Sequence, residues 1–173
     1  FEVYNHFGVL MHNTGELDKA IENYTNAINI KPDYAQAYSN MADALKVQGK
    51  LKLALANYEK ALQLDDQLID TRYNYSIALQ SNGDLDKAIE NYRKIIQTRP
   101  DHARAHWNLS LALLSAGNYI EGFKEYAWRH EPDLKMISYP CKYSKPRWDG
   151  ASFVGKRLLV HYEQGFGDNI QFI

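Results

Sequence analysis

The sequence repeats itself with a period of 34 residues over most of its length. Residues 74–92 align with residues 40–58 and with residues 108–126, and one further step back they align with residues 6–24. Within each unit a glycine separates two stretches whose apolar residues recur with helical spacing. A period of this length indicates a helical repeat protein, in which each unit buries its apolar face against its neighbours rather than alone.

Several positions keep their side-chain type when residues are numbered from the start of each unit. Glycine at position 15 permits the left-handed backbone that ends one helix and turns the chain into the next. A small residue at position 20 predicts that the two helices of a unit touch closely there, and proline at position 32 marks the end of the second helix. The recurring residues are Gly15, Gly49, Gly83 and Gly117; Ala20, Ala54, Ala88 and Gly122; Tyr24, Tyr58, Tyr92 and Tyr126; and Pro32 and Pro100.

This pattern of a small residue at position 20, an aromatic one at 24 and proline near 32 resembles the tetratricopeptide repeat (TPR). The resemblance implies an all-α solenoid of helix–turn–helix units wound as a right-handed superhelix. Four units are predicted, at residues 1–34, 35–68, 69–102 and 103–136. Arg72 and His106 depart from the large apolar residue common at position 4, and Asp66 replaces the proline of the second unit, but none of these changes breaks the period.

Charge and composition argue against several classes of protein. The net charge is −1, which disfavours an electrostatic nucleic-acid partner. No apolar run approaches about 18 residues, so we expect no membrane partner. The single cysteine, Cys141, indicates a reducing compartment, and a cytoplasmic location is predicted. The histidines lack the spacing of metal ligands, so no metal site is predicted.

The TPR resemblance also implies a binding surface, because the first helices of such units line a concave groove at positions 2, 5, 6, 9, 12 and 13. Position 6 is asparagine in units two to four, and an amide that both donates and accepts can pair with the backbone of an extended peptide. Alternatively, these asparagines bond only within their own repeat, as asparagine often does. The sequence leaves both alternatives open. The predicted binding residues are Asn5, Asn40, Asp43, Tyr73, Asn74, Ile77, Trp107, Asn108 and Leu111.

A chaperone-tail carboxylate clamp is not predicted on this surface. In TPR proteins that carry it, the clamp needs lysine and asparagine at positions 5 and 9 of one unit. The first unit has Asn5 and Val9 there, and the second has Ser39 and Asp43. The predicted partner is therefore a protein or an extended peptide of unspecified sequence.

The character of the sequence changes after residue 136. Residues 137–156 contain two prolines and little helical periodicity, which is typical of a linker. Residues 157–163, RLLVHYE, predict a strand, followed by a turn with Gly165 and Gly167 and then Asp168. Such a turn either presents backbone amides to an anion or connects strand and helix without a ligand. Because a parallel strand needs a sheet, residues 157–173 are expected to open a truncated α/β domain.

The stretch RLLVHYEQGFGDNIQF resembles the opening strand and loop of heptosyltransferase-like GT-B glycosyltransferases. The resemblance implies a longer parent protein in which Asp168 activates the acceptor hydroxyl and a nucleotide sugar is the donor. No cofactor and no turnover are expected of this chain alone. The sequence thus supports a peptide-binding TPR scaffold, with the acceptor-recruiting region of a TPR-fused glycosyltransferase as the alternative, and self-association through the C-terminal tail as a further possibility.

Overall fold

The computed structural model describes residues 1–130, in which helices alternate with short turns. Successive helices pack against one another in pairs, which confirms the all-α solenoid, and no strand occurs in this part of the chain. The predicted linker, the strand at 157–163, Gly165, Gly167 and Asp168 lie outside the described residues. The helices are α1 (Glu2–Asn13), α2 (Leu17–Ile30), α3 (Ala35–Val47), α4 (Leu51–Leu64), α5 (Ile69–Asn82), α6 (Leu85–Thr98), α7 (Ala103–Ser115) and α8 (Tyr119–Tyr126), with a short 3₁₀ helix at Ala127–His130.

The glycine at position 15 ends the first helix of every unit with a positive φ, between 75° and 89°. In the third unit the Gly83 amide donates to the carbonyl of Gln80 at 3.1 Å, and the amide of Asp84 donates to Leu79 at 2.9 Å. These bonds satisfy carbonyl groups that the end of a helix would otherwise leave unpaired. A side chain would meet no neighbouring atom within 4 Å at any of the four glycines. The backbone conformation, rather than space, therefore requires glycine there.

Close helix contacts explain the small residues, as predicted. Ala54 and Ala88 are fully buried between the helices of their units. In the fourth unit a methyl group on Gly122 would lie 2.8 Å from Cδ2 of Leu114. The side chain of Leu114 thus leaves room only for glycine at position 20 of this unit. These contacts set how closely each pair of helices can approach.

Neighbouring units pack through the second helix of one and the first helix of the next: α2 on α3, α4 on α5 and α6 on α7. First helices also contact one another, α1 with α3, α3 with α5 and α5 with α7. Over residues 1–130, consecutive second helices make no comparable contact. The first helices are therefore the more closely spaced layer, as expected on the inner side of a curved array.

The two polar residues at position 4 are accommodated in different ways. The Arg72 guanidinium donates through Nη2 to the backbone carbonyl of Asp66 at 2.8 Å and through Nη1 to Oδ1 of Asn91 at 3.1 Å. Arg72 thus fixes the backbone at Asp66, the position where the second unit lacks its proline. His106 is buried, donates from Nε2 to the carbonyl of Pro100 at 2.9 Å and bonds through Nδ1 to Glu125.

The second helix of the fourth unit is shorter than its counterparts. α8 has 8 residues, whereas α2, α4 and α6 have 14 each. The chain continues as the 3₁₀ helix, and the ring of Trp128 stacks on His106 with the centroids 3.9 Å apart. The predicted end of this unit at residue 136 lies outside the described residues.

Candidate functional site

The predicted binding residues lie on the first helices, α1, α3, α5 and α7. Asn5 differs from the prediction of a contact residue, because only 4% of it is exposed. Its carboxamide oxygen accepts a hydrogen bond from Asn40 Nδ2 at 2.9 Å, so Asn5 takes part in the contact between the first and second units. The other eight predicted residues are half-buried: Asn40, Asp43, Tyr73, Asn74, Ile77, Trp107, Asn108 and Leu111.

The asparagines at position 6 bond to the preceding unit. Asn40 donates to Asn5 and accepts from Gln36 Nε2 at 2.9 Å. Asn108 donates from Nδ2 to the hydroxyl oxygen of Tyr73 at 2.9 Å. Pairing of these asparagines with a peptide stays a prediction. The bond from Gln36 lies within one repeat, whereas the bonds that Asn40 and Asn108 donate cross to the preceding unit. They fasten each first helix to the one before it.

Asp43 lies at the centre of the side-chain hydrogen bonds that join the second and third units. Asn74 Nδ2 lies 3.1 Å from its Oδ1 and 3.4 Å from its Oδ2. The buried Tyr58 hydroxyl donates to the same carboxylate, and Lys46 Nζ lies 3.4 Å from Oδ1. Burial, reinforced by the Asp43 charge and by that hydrogen bond, raises the pKa of Tyr58 far above its ordinary value. Tyr58 is therefore a neutral donor throughout the physiological range.

These bonds orient the amides of Asn74 and Asn108. An ionised carboxylate only accepts hydrogen bonds, so Asn74 must turn its nitrogen to Asp43 and its oxygen away. Within residues 1–130 neither Asn74 Oδ1 nor Asn108 Oδ1 has a hydrogen-bond partner. Neither oxygen is fully buried either. The third and fourth units thus each present a carbonyl oxygen that is held in place and can accept a further hydrogen bond.

A second series of asparagines occupies position 23 on the second helices, and it behaves differently. Asn23 donates to the carbonyl of Lys19 at 2.8 Å and Asn57 to that of Leu53 at 2.8 Å. Asn91 donates in the same way to the carbonyl four residues earlier. These are local side-chain-to-backbone bonds. Local bonding of an asparagine side chain to the backbone of its own helix therefore occurs in this protein, at position 23.

A polar pocket of about 280 Å³ lies on the first-helix side, at the junction of the second and third units. Asp43 and Asn74 line it, together with residues that the sequence interpretation did not select. Ser39 and Asp70 occupy groove positions 5 and 2, so the same position count could have included them. Arg99 comes from the loop after α6, which no count along the first helices reaches. Asn40, a predicted binding residue, also lines the pocket, and the remaining lining residues are Gln36, Gln67, Leu68, Ile69 and Thr71.

The aromatic residues of the predicted site lie beside this polar series. Burial raises the pKa of Tyr73, against the opposing effects of the Arg104 charge and the Asn108 hydrogen bond. The ring of Trp107 packs against that of Tyr126 with the centroids 5.0 Å apart. Ile77 packs against the apolar core around α5 to α7, so it contributes stability more than surface.

No group of three or more candidate metal ligands is present among residues 1–130. None of the helices over that range has the length and apolarity to cross a membrane. The predicted binding residues form a polar and aromatic surface of amides, carboxylates and rings. Such a surface can make hydrogen bonds and stacking contacts.

Three family models match the sequence. A TPR repeat model covers residues 8–49, and two tetratricopeptide repeat models cover residues 33–100 and 76–127. Together they extend without a gap from residue 8 to residue 127. The chain belongs to the tetratricopeptide repeat proteins. No curated protein matches the sequence closely enough to count as a relative.

Solved structures share the fold. A crystal structure of MamA matches with a TM-score of 0.72 and 26% identity, over 78% of each chain. A tetratricopeptide repeat protein from Parabacteroides merdae ATCC 43184 matches with a TM-score of 0.71 and 22% identity, over 79% of this chain and 54% of that one. The first TPR domain of Spaghetti (RPAP3), bound to the HSP90 peptide SRMEEVD, matches with a TM-score of 0.64 and 20% identity, over 66% of this chain and 91% of that one.

Proposed function

We propose that this chain is a protein-binding scaffold whose first-helix face takes up an extended peptide segment of a partner protein. The observation that carries the proposal is the orientation of Asn74 and Asn108. Each donates its amide nitrogen to the preceding unit and leaves its carbonyl oxygen accessible. Acceptors that are fixed before binding lose little conformational freedom when a ligand arrives.

The chemistry of these oxygens favours a peptide backbone as the ligand. A carbonyl oxygen accepts from any backbone N–H, whatever side chains the peptide carries. Asn74 and Asn108 occupy the same position of consecutive units, so they offer equivalent acceptors to one extended segment. Recognition through them alone would be independent of the peptide sequence.

Preference for particular side chains comes from the neighbouring groups. Tyr73 and Trp107 are half-buried aromatic residues beside the asparagines, and aromatic rings of this kind anchor apolar peptide side chains. Asp43 and Asp70 line the adjoining pocket and favour a polar or basic side chain there. We therefore propose a peptide with an apolar residue near the fourth unit and a polar or basic one nearer the second.

Peptide binding by a TPR domain of similar fold supports this class of function, since the RPAP3 domain is bound to an HSP90 peptide. Its ligand is not the one proposed here. The residues at positions 5 and 9 of this chain, Asn5 and Val9 or Ser39 and Asp43, do not form a basic clamp for a terminal carboxylate. Asp43 would instead repel an acidic tail.

The experiment is selection of peptides of about twelve residues from a displayed random library against the full chain. Selected peptides are then labelled with fluorescein and titrated by fluorescence polarisation. We expect the double variant Asn74→Ala/Asn108→Ala to bind at least about tenfold more weakly, since it removes two hydrogen-bond acceptors. Asn57→Ala is the matched control, because its amide bonds only to its own helix.

Backbone recognition is tested separately by N-methylation of single peptide positions, which removes one N–H and retains the side chain. Methylation at the sites facing Asn74 or Asn108 should weaken binding to the wild type and have little further effect on the double variant. Equal binding by the wild type and the double variant would refute the proposal.

The alternative function, acceptor recruitment by a TPR-fused glycosyltransferase, depends on residues 157–173. Those residues lie outside the described part of the chain, and nothing among residues 1–130 favours that alternative over general peptide binding. Cytoplasmic location and the absence of a cofactor likewise stay predictions.

A further inference from the structure

Arg72 joins the parts of the third unit from position 4, on the first helix. Its guanidinium donates to the carbonyl of Asp66, at position 32 of the preceding unit, at 2.8 Å, and to Oδ1 of Asn91, at position 23 of its own unit, at 3.1 Å. One side chain thus connects α5 both to α6 and to the loop before it. Because arginine stays protonated in proteins, this pair of bonds does not change with pH. We call such a pair of bonds the position-4 clasp.

His106 forms the same clasp in the fourth unit. Its Nε2 lies 2.9 Å from the carbonyl oxygen of Pro100, and its Nδ1 bonds to Glu125. Pro100 occupies position 32 of the preceding unit, as Asp66 does one repeat earlier. Glu125 occupies position 23 of the same unit, as Asn91 does one repeat earlier. The imidazole ring therefore replaces a guanidinium that donates to both partners.

The clasp of His106 needs a proton that arginine carries permanently. A carbonyl oxygen only accepts hydrogen bonds, so Nε2 must carry a hydrogen to bond to Pro100. The second ring nitrogen of a neutral imidazole and an ionised carboxylate are both acceptors, so they bond only through one additional proton between them. The clasp is complete while His106 and Glu125 share that proton, whichever atom carries it.

Burial means that solvent does not compensate for the loss of that proton. Only 8% of the His106 side chain and 17% of the Glu125 side chain are exposed, so water has little access to replace the bond. The ring of Trp128 covers His106, with the two planes 7° from parallel and the centroids 3.9 Å apart. Once the proton leaves, a ring lone pair faces a negatively charged carboxylate, and the bond between the two groups is lost.

We propose that the position-4 clasp of the fourth unit is a pH-sensitive contact, which holds the end of α8 and the 3₁₀ helix on α7 while His106 and Glu125 share a proton and releases them when it is lost. Histidine is the side chain whose charge ordinarily changes near neutral pH. α8 has 8 residues whereas α6 has 14, so the fourth unit depends more on its clasp than the third does. The clasp is therefore formed at lower pH and lost as the pH rises.

The other ionisable groups around His106 do not supply this pH dependence. Over residues 1–130, Glu125 is the only carboxylate that pairs with the ring. α5 and α6 contribute Tyr73 and Tyr92 to the core beside α7, and burial raises the pKa of both phenols, so neither ionises near neutral pH. Arg129 of the 3₁₀ helix is permanently charged.

Two further histidines lie near the clasp in sequence and need separate controls. His102 is the N-cap of α7, and its Nδ1 accepts from the amide of Ala105 at 3.1 Å. His102→Asn removes the imidazole and retains an acceptor suited to that position. His130 ends the 3₁₀ helix, and His130→Gln removes it. Both variants should keep the pH dependence of the wild type, and its loss in either would assign it to that histidine and overturn the proposal.

The experiment is hydrogen exchange of the full 173-residue chain, measured by mass spectrometry at about pH 6 and about pH 8. Observed rates are compared with those of an unstructured chain at the same pH, so that base catalysis cancels. We expect the protection of residues 119–130 to fall by about tenfold or more between the two pH values, since a hydrogen bond to a charged group is lost. α6 is the internal control, and its protection should not change, because Arg72 bonds to it at either pH.

Glu125→Gln gives the decisive measurement. The amide N–H of glutamine can donate to the unprotonated Nδ1 of His106, so this clasp needs no shared proton. Protection of residues 119–130 should then be the same at both pH values. Circular dichroism checks the fold, and His106→Arg, which recreates the clasp of the third unit, replaces Glu125→Gln if that chain unfolds. A wild type whose protection is equal or higher at about pH 8 overturns the proposal, as does a Glu125→Gln chain that keeps the wild-type dependence.

Discussion

The two asparagine series, at position 6 of the first helices and at position 23 of the second helices, share a residue type and a period but not a bonding pattern. Asn74 reaches across to Asp43 of the preceding unit, 31 residues away, whereas Asn57 bonds to Leu53 within its own helix. The difference follows from the spacing of the two layers. First helices contact one another, so a side chain on one can reach the next, whereas consecutive second helices over residues 1–130 make no comparable contact.

The comparison shows that a periodic polar residue is not a binding feature by itself. At position 23 each amide nitrogen donates to a carbonyl of its own helix, so these donated bonds do not join one unit to the next. At position 6 the amide nitrogen donates to the preceding unit, and this bond fixes the direction of the carbonyl oxygen. The same bond that stabilises the array also prepares its surface for a ligand.

Among the variants that test this comparison, Asp43→Ala is expected to lose the most stability. The substitution leaves the buried Tyr58 hydroxyl without its acceptor and removes the partner of Asn74. Loss of hydrogen bonds to a charged acceptor should lower the free energy of unfolding by about 1–3 kcal/mol. Urea unfolding measures it, with Glu22→Ala, an exposed carboxylate of α2, as the control. Equal stabilities of the two variants would show that Asp43 does not join the units.

A smaller effect is expected for the asparagines themselves. Asn74→Ala removes a bond between units and should cost about 0.5–1.5 kcal/mol. Asn57→Ala removes only a local bond on an outer helix and should change stability by less than about 0.5 kcal/mol, because alanine is also the better helix former. If urea unfolding gives the same loss for both, the distinction between the two series fails energetically.

The smallest change in stability at neutral pH is expected for Tyr24→Phe, because the Tyr24 hydroxyl makes no hydrogen bond within residues 1–130. The equivalent tyrosine of the second unit, Tyr58, differs because it donates to Asp43. Burial, with a lesser contribution from the Asp43 charge, raises the pKa of Tyr24 to about 12. An unfolded tyrosine titrates near about 10, so the folded state favours the neutral phenol. Stability from Tyr24 is complete below about pH 10 and is lost as the pH rises towards about 12.

Urea unfolding at pH 9 and pH 11 tests this dependence. The wild type should lose more stability over that interval than Tyr24→Phe. Tyr119→Phe, at an exposed tyrosine, should behave as the wild type does. An identical pH dependence in all three chains would mean that Tyr24 titrates like an exposed phenol.

Much of the fold could be predicted because its determinants are local or recur with the period. The positive φ at position 15 requires glycine, and the close helix contact at Ala88 requires a small residue. Both residue types recur with the period, so the sequence alone reveals them. The candidate site was predicted less well. Counting positions placed Asn5 and Ile77 on the surface, but Asn5 is buried under Asn40 and Ile77 packs into the core.

The sequence by itself determined the architecture: helical units of one length, their turns, and the position that carries an asparagine. Only the tertiary structure decided what each asparagine does, because a hydrogen bond depends on which acceptor another unit brings within about 3 Å. Asp43 and Tyr73 receive the amides of Asn74 and Asn108 although the residues are 31 and 35 apart in sequence. Short-range helical preference sets the units, whereas the spacing of packed helices sets the partners across them.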